Sequence, residues 1–171
     1  MKTLIISSSL SKTSKSLILC NEVALVLSKK KVNCSVIDSS SLKTNPTHKR
    51  KTNDMHKLSQ KIKDADNIII GMGVHCYSIN DNLKILLDNC FDGAQKKFFG
   101  IVCAAGGEKS YLSTMHLTQI CMNEWRMIQL PRVLYASTRD FSKDKIISKD
   151  VKERIKLFTS EFFEIGKKLC N

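Results

Sequence analysis

Thr3-Leu4-Ile5-Ile6, a short apolar strand, runs directly into Ser7-Ser8-Ser9-Leu10-Ser11-Lys12-Thr13-Ser14-Lys15-Ser16, after which a helical pattern begins. A strand, a hydroxyl-rich turn and a helix start form an arrangement that holds phosphate. The free N–H groups of the first helical turn point at the ligand, and the helix dipole favours its negative charge. Hydroxyl groups add donors, and Lys12 or Lys15 adds positive charge. The alternative interpretation is a solvated loop in which a serine or threonine only caps the helix.

The composition is that of a globular protein. Its 171 residues suit one hydrophobic core, so we expect residues 1–171 to form a single domain. The apolar fraction of 42% and the charged fraction of 26% are ordinary for a soluble chain. No segment approaches the roughly 18 apolar residues of a membrane span. The first apolar stretch is too short for a signal peptide, so we expect a cytoplasmic protein without a membrane partner.

The seven cysteines and four histidines carry no recognisable pattern. The cysteine number is odd, no Cys-x-x-Cys occurs, and most cysteines lie among apolar residues. We therefore predict reduced thiols that serve as small core residues rather than a disulfide framework. No His/Cys group has metal-ligand spacing, and no metal site is predicted.

The formal net charge of +12 raises the question of a nucleic-acid partner. The lysines are spread along the whole chain, there is one tryptophan, and no basic segment is interleaved with aromatic residues that would stack on bases. We predict solvated lysines and no nucleic-acid partner. The excess charge still attracts phosphorylated cofactors and acidic partners in a salt-dependent way.

Strand and helix patterns alternate along the chain. The apolar runs predict strands over residues 3–6, 32–38, 67–72, 98–104 and 133–137. Helical spacing predicts helices over residues 14–30, 54–64, 80–91, 111–127 and 145–169. Apolar residues extend beyond one face of the helices over 80–91 and 111–127, and they include Met122, Trp125 and Met127. This excess predicts a homo-oligomer, a homodimer or a homotetramer.

Five strands separated by helices predict an α/β fold in three layers, with a doubly wound five-stranded parallel sheet in the order 2-1-3-4-5. Such a sheet binds ligands at the carboxyl ends of its strands, where the order reverses between the first and third strands. This topology places three loops of unusual composition at one edge of the sheet. They cover residues 8–16, 73–78 and 104–107.

The second and third loops suit a flat ring rather than a phosphate. The second loop begins with Gly73 and carries two rings, His75 and Tyr77, either of which would shield one face of a heterocycle. The alternative is a strand-to-helix turn with Tyr77 packed on the surface. The third loop, Ala105-Gly106-Gly107, permits close backbone approach and positive φ.

Together these residues resemble the NADPH-dependent FMN reductase family, which has a flavodoxin-like fold. The first loop of that family reads Gly-Ser-x-Arg-x-x-Ser-x-Asn, and residues 8–16 here read Ser-Ser-Leu-Ser-Lys-Thr-Ser-Lys-Ser. Its second loop reads Pro-Glu-Tyr-Asn-Gly-Ser-Ile-Pro-Gly before a Leu-Lys-x-x-Leu-Asp helix. Residues 73–81 read Gly-Val-His-Cys-Tyr-Ser-Ile-Asn-Asp, and residues 83–88 read Leu-Lys-Ile-Leu-Leu-Asp. The family's third loop is rich in glycine, and the resemblance covers residues 1–137.

The resemblance implies an FMN-binding oxidoreductase that transfers hydride from NADPH or NADH to FMN and on to an acceptor such as free flavin or a quinone. The flavin performs this chemistry, so no catalytic side chain is implied. The residues implied to bind the phosphate are Ser8, Ser9, Ser11, Lys12, Ser14, Lys15 and Ser16. Those implied to border the ribityl chain and ring are Gly73, Val74, His75, Cys76, Tyr77 and Ser78, with Ala105, Gly106 and Gly107 on the far side of the ring.

The chain departs from the family's pattern at two points. Ser11 stands where the family has arginine, so the phosphate charge falls to Lys12 or Lys15. The Pro-Glu-Tyr-Asn core of the second loop is replaced, which leaves His75 at the position of the flavin-facing tyrosine. The alternatives are a non-enzymatic FMN electron carrier, an FMN-independent quinone or azo-compound reductase variant on the same fold, and a flavodoxin-like binding protein that has lost its cofactor.

Overall fold

A computed structural model describes residues 1–143 and 145–170. The strands are β1 (Lys2–Ser7), β2 (Asn33–Asp38), β3 (Asn67–His75), β4 (Ser78–Ile79), β5 (Phe98–Ala105), β6 (Ile128–Gln129), β7 (Leu134–Ser137), β8 (Phe141–Ser142) and β9 (Lys145–Ile146). The α-helices are α1 (Lys15–Lys29), α2 (Asn53–Asp64), α3 (Asp81–Cys90), α4 (Thr114–Trp125) and α5 (Lys149–Leu169). Short 3-10 helices cover Ser39–Ser41, Phe91–Ala94, Glu108–Ser113 and Thr138–Asp140.

The central sheet is parallel, with its principal strands in the order β2-β1-β3-β5-β7. When these five strands alone are numbered from one to five along the chain, their order is 2-1-3-4-5. The predicted strand order is therefore confirmed. The two residues of β6 also pair with β5, ahead of β7. In the register, Ser7 lies beside Gly71, Gly73 beside Ala104, and Ala105 beside Ser137. The carboxyl ends of four strands therefore meet at one edge.

Apolar side chains cover both faces of the sheet and produce the three layers. Leu4 and Ile6 of β1 belong to a cluster with residues of α2, α3 and α4. Ile5, between them in the strand, belongs to a second cluster with residues of α1 and α5. Ile68 and Ile69 of β3 divide between the two clusters in the same way, and both are fully buried. The continuous apolar run predicted for a central strand is thus explained by helices on both sides.

The prediction of a loop over residues 73–79 is wrong. β3 continues to His75 and turns back into β4, with Val74 paired to Ile79 and His75 paired to Ser78 in antiparallel register. Val74 packs against the core and Ile79 is buried in it, so the apolar contact favours a hairpin over an irregular loop.

The bounds of two helices, α4 and α5, also differ from the prediction. Residues 111–113 belong to a 3-10 helix, and α4 ends at Trp125 because Arg126 takes a left-handed conformation with φ of 53°. Residues 145–146 form β9, which pairs with β8. α5 begins only after Ser148, whose side chain accepts a hydrogen bond from the N–H of Val151.

The basis given for an oligomer is partly wrong. Trp125 and Met127 are only 5% and 2% exposed, because the chain leaves α4 at Arg126 and carries both side chains into the core. The Trp125 ring lies 5.5 Å from that of Phe91, between ring centroids. Met122 alone of the three is exposed. The oligomeric state itself stays a prediction.

All seven cysteines are free thiols, and four of them are buried. Burial raises the pKa of the Cys20, Cys103 and Cys121 thiols to about 12, so these side chains are neutral core residues. Across residues 1–143 and 145–170, none of the helices combines the length and apolar character that a membrane crossing requires. In the same ranges no group of three His, Cys, Asp or Glu side chains is placed to hold a metal ion.

We predict that Gly71→Ala destabilises the protein by about 2–3 kcal/mol through overpacking. The added Cβ would lie 2.3 Å from the Sγ of Cys20 and 3.2 Å from the carbonyl oxygen of Ile6. Cys20→Ala alone should cost about 1 kcal/mol. Because Cys20→Ala removes the nearest clashing atom, the double variant should lose about 1 kcal/mol less than the sum of the single variants. Urea unfolding of the four proteins measures this coupling, and additive effects would contradict it.

Candidate functional site

The carboxyl edge of the sheet brings four segments together. They are the serine loop (residues 8–16) after β1, the hairpin (residues 73–79) made by β3 and β4, the glycine loop (residues 105–107) after β5, and Ser137–Asp140 after β7. The first three are the segments predicted from the sequence. The fourth was missed, although it also follows a strand of the parallel sheet and belongs at the same edge.

Ser8 fixes the start of the serine loop to the neighbouring strand and to the start of α3. It is fully buried, and its N–H donates to the carbonyl of Gly71 at 2.9 Å. Its Oγ lies 2.8 Å from both the Gly71 carbonyl oxygen and Oδ1 of Asn80. In return Nδ2 of Asn80 and Nδ2 of Asn82 donate to the Ser8 carbonyl at 3.0 and 2.9 Å. The Ser8 side chain therefore faces the interior and positions the loop.

The end of the serine loop forms the amino terminus of α1. Ser14 is the N-cap, and its Oγ accepts a hydrogen bond from the N–H of Leu17 at 3.1 Å. Ser16 Oγ lies 3.0 Å from Ser14 Oγ and 3.4 Å from Ser7 Oγ, and all three serines are buried. The N–H groups of Lys15 and Ser16 point out of the first turn, where helix geometry leaves them without an intrahelical acceptor. Helix capping and an anion-binding terminus are thus compatible here.

The middle of the serine loop is exposed and positively charged. Ser9 Oγ accepts from the N–H of Ser11 at 3.2 Å, and Ser11 Oγ accepts from the N–H of Thr13 at 3.3 Å. Residues 8–16 contain two lysines and no acid, and the first turn of α1 has no acidic residue. Lys12 is exposed, whereas the Lys15 ammonium lies 5.9 Å from the centroid of the Phe141 ring. The loop therefore favours an anion.

An open cleft of about 670 Å³ lies between the hairpin tip, the glycine loop and the end of β7. Its lining residues are Tyr77, Gly106, Gly107, Glu108, Lys109, Ser110, Ser137, Thr138 and Arg139. A Cβ added at Gly106 or Gly107 would meet nothing within 4 Å, and neither glycine has a positive φ. The positive φ that glycine permits is therefore not used here, and the two glycines expose their backbone to open space.

The other predicted residues of the hairpin and the glycine loop do not line this cleft. Val74 packs against the core, and Ala105 is buried with its carbonyl accepting from Thr138 Oγ1 at 3.4 Å. Gly73 donates its N–H to Oδ1 of Asn80 at 3.4 Å. Ser78 Oγ lies 3.0 Å from Nδ1 of His116 in α4, which fixes the return strand of the hairpin.

The two residues predicted to face a ring, His75 and Tyr77, lie in different surroundings. His75 Nδ1 lies 3.8 Å from Oδ1 of Asp81 at the start of α3. Tyr77 lies at the hairpin tip, borders the cleft and leaves 65% of its surface exposed. Cys76 precedes it in the turn and is also exposed. Of the two rings, only Tyr77 is placed to shield a ligand in the cleft.

The wall formed by Ser137–Asp140 is held rigidly. Asp140 Oδ2 accepts hydrogen bonds from the N–H and Oγ of Ser137 at 2.7 and 2.9 Å. Burial opposes ionisation of Asp140, but the hydrogen bonds from Ser137 and Ser148 outweigh it and hold its pKa below the ordinary value. Arg139 forms an ion pair with Glu108, which joins this wall to the segment after the glycine loop.

The two ends of the edge therefore offer different chemistry. One end supplies backbone donors, hydroxyl groups and lysines for an anion. The other supplies an open cleft with one aromatic side chain and two glycines. A ligand that carries a phosphate at one end and a flat ring at the other fits this donor set.

Sequence comparison gives one match and one negative result. The sequence model described as NADPH-dependent FMN reductase matches residues 1–156. Among curated proteins, none matches the chain significantly.

Comparison with solved structures confirms the flavodoxin-like fold. An oxidoreductase from Corynebacterium diphtheriae is 17% identical and has a TM-score of 0.77, with 99% of this chain and 96% of that chain covered. The apo form of an NADH:FMN oxidoreductase is 16% identical, with a TM-score of 0.79 and coverage of 94% and 87%. A flavodoxin from the domain Archaea is 17% identical, with a TM-score of 0.68 and full coverage of both chains, 100% each.

We predict that Asn80→Ala lowers the free energy of unfolding by about 2–3 kcal/mol, because it leaves buried hydrogen-bonding groups of Ser8 and Gly73 unpaired. Asn123→Ala is the matched control. The Asn123 side chain lies on the exposed face of α4, and within residues 1–143 and 145–170 it donates only to the carbonyl of Gln119. Its loss should change stability by less than about 0.5 kcal/mol. Urea denaturation measures both, and equal effects would rule out the role given to Asn80.

Proposed function

Because this chain belongs to the NADPH-dependent FMN reductase family, we propose that its carboxyl-edge loops hold FMN and that it passes electrons from NAD(P)H to a free flavin, a quinone or a similar small acceptor. Family membership makes the protein an NAD(P)H-dependent oxidoreductase with FMN as its cofactor. The observation that carries the proposed site is the acid-free serine loop at the amino terminus of α1, joined through one sheet edge to the open cleft beside Tyr77.

The serine loop is the proposed phosphate site. The N–H groups of the first turn of α1 donate to the phosphate, and the helix dipole adds to their attraction. Ser9, Ser11, Ser14 and Ser16 supply hydroxyl groups, and Lys12 and Lys15 supply charge. Ser8 contributes by holding the loop in place through Asn80. Because the N–H groups of α1 and the two lysines supply the attraction, this end does not require an arginine at position 11.

The hairpin and the glycine loop are the proposed walls for the rest of the cofactor. Residues 73–78 border the ribityl chain and one side of the ring, and residues 105–107 border the other side, where Gly106 and Gly107 expose their backbone. When bound, FMN supplies the hydride-accepting and electron-donating chemistry. The protein binds the cofactor, orients it and limits water at one ring face, and it uses no catalytic acid or base.

The proposal extends to the organisation of the protein. Residues 1–171 form one FMN-binding domain, and the protein acts in the cytoplasm with neither nucleic acid nor membrane as a partner. It assembles as a homodimer or homotetramer. Exposed apolar side chains on α4 and the preceding segment support self-association; they are Leu112, Met115 and Met122. Light scattering coupled to size exclusion tests the assembly, and a monomer at micromolar concentration would overturn it.

The absorbance spectrum is the first test of the proposed function. The purified protein, loaded with FMN if necessary, should show a flavin spectrum after gel filtration removes unbound cofactor. Anaerobic NADPH or NADH should bleach that absorbance, and a quinone or free flavin should restore it with continuous nicotinamide oxidation. A colourless protein that does not take up FMN would refute the proposed site. Bleaching without turnover would instead indicate an electron carrier.

Two double variants of the serine loop test the phosphate assignment. Ser9→Asp with Ser14→Asp should weaken FMN binding at least about 100-fold, because two negative charges are added beside the phosphate. Ser9→Asn with Ser14→Asn has similar size without the charge and should weaken it less than about tenfold. Both pairs keep an N-cap acceptor at position 14, so thermal unfolding should stay near that of the unaltered protein. Equal affinity of the Asp and Asn variants would contradict the assignment.

A further inference from the structure

The turn at the tip of the hairpin has an unfavourable backbone. Residues 76 and 77 form a two-residue connection between the pairs His75–Ser78 and Val74–Ile79. Cys76 and Tyr77 have φ of 47° and 56°, so both are left-handed. A two-residue hairpin with positive φ at both positions is a type I′ turn, which strongly prefers Asn-Gly, Asp-Gly or Gly-Gly. Cysteine and tyrosine both place a Cβ where this conformation is strained.

This use of left-handed conformations is unusual within the chain. In the described residues, Cys76 and Tyr77 have positive φ at two consecutive positions, and both carry a side chain. Lys31 and Lys96 also have positive φ, but the residues next to them do not. No glycine has a positive φ. The residues at positions 76 and 77 are thus poorly suited to their conformation. The Asn-Gly of the family's second loop, at the corresponding positions, is the pair that a type I′ turn favours.

The surrounding structure prevents the turn from relaxing. Ile79 is buried, and Ser78 Oγ is held at 3.0 Å from Nδ1 of His116. On the other strand, the N–H of Gly73 donates to Asn80, which is itself bound to Ser8. Both strands of the hairpin are anchored close to the turn. Strain of this kind persists where the neighbouring structure over-determines it, and it concentrates at ligand sites.

The strained turn places a ring beside the cleft. Tyr77 lines the cleft together with Gly106 and Gly107 and is 65% exposed, so its ring makes few contacts within the protein. His75, which occupies the position of the family's flavin-facing tyrosine, lies toward Asp81 instead. Of the two rings in the hairpin, the one at the turn is therefore the one that borders the cleft.

We infer that Tyr77 is the positioning residue that stacks on the ring of the bound cofactor, and that the Cys76–Tyr77 turn retains its strain because only this conformation presents the ring. The inference rests on the proposed function, since it requires FMN at this edge. The strain lowers the stability of the free protein, and the aromatic contact raises affinity for the ligand.

Tyr77→Gly separates the two effects. Glycine adopts positive φ without penalty, so the variant without cofactor should melt about 2–4 °C higher than the unaltered protein. It should bind FMN about tenfold more weakly, because the aromatic contact is lost. Bound FMN should also become more fluorescent, since a phenol in contact with a flavin quenches its emission. A purely structural role for Tyr77 would not produce this change in emission.

Two control variants keep the test specific. Tyr77→Phe retains the ring and the strain, so its affinity should stay within about threefold of the unaltered protein. Lys31→Gly relieves a left-handed residue just beyond the end of α1, far from the cofactor edge. It should raise the melting temperature and leave FMN affinity unchanged.

The outcomes distinguish this inference from the proposed function. If the unaltered protein fails to bind FMN, the proposed function is wrong and the inference falls with it. If the unaltered protein and Tyr77→Gly bind FMN equally well and with equal quenching, the proposed function stands and the role of Tyr77 is wrong. A lower melting temperature for Tyr77→Gly than for the unaltered protein would contradict the inference that the turn is strained. Higher stability with weaker, less quenched binding supports the inference.

Discussion

The hydrogen bonds between Ser8 and Asn80 hold the serine loop against the start of α3 and the hairpin. Ser8 is the first residue after β1, and Asn80 immediately precedes α3, so their contact spans 72 positions of the chain. Through the same atoms Ser8 reaches the carbonyl of Gly71, and Asn80 reaches the N–H of Gly73. One buried polar cluster thus sets the serine loop, the end of β3 and the start of the hairpin relative to one another. Because the members of the cluster are buried, any other arrangement would leave their polar groups unpaired. The cluster therefore favours a single arrangement of these three segments.

The sheet could be predicted from the sequence because its signals are local. The apolar run in β3 is continuous, as a strand covered by helices on both faces requires, and α5 repeats its apolar residues at helical spacing. The carboxyl-edge rule then placed three loops together without any knowledge of side-chain contacts. The same rule applies to Ser137–Asp140, so this fourth segment was available to sequence reasoning and was overlooked.

The features that the sequence did not reveal depend on contacts between distant residues. The hairpin lacks the Asn-Gly signal that marks a type I′ turn, and its pairing depends on Ile79 entering the core. The apolar residues Trp125 and Met127 indicated a second helical face only while one helix was assumed to contain both. Arg126 ends that helix in a left-handed conformation, and the chain then carries Met127 into the core. The spacing of apolar residues shows which face of a helix they share only when all of them belong to the same helix.

The difference between the two ends of the site follows from which atoms supply the contacts. At the serine loop the proposed donors include backbone N–H groups, whose direction is fixed by the start of α1, together with serine hydroxyl groups and two lysines. At the cleft the contacts come from particular side chains, and each substitution moves the surface that meets a ring. In this protein His75 lies toward Asp81, so an aromatic wall for the cleft has to come from another residue. That residue must line the cleft together with Gly106 and Gly107. On the proposed function, the left-handed turn at Cys76 and Tyr77 gives Tyr77 that direction, and the contact of its ring with the cofactor offsets the cost of the unfavourable turn.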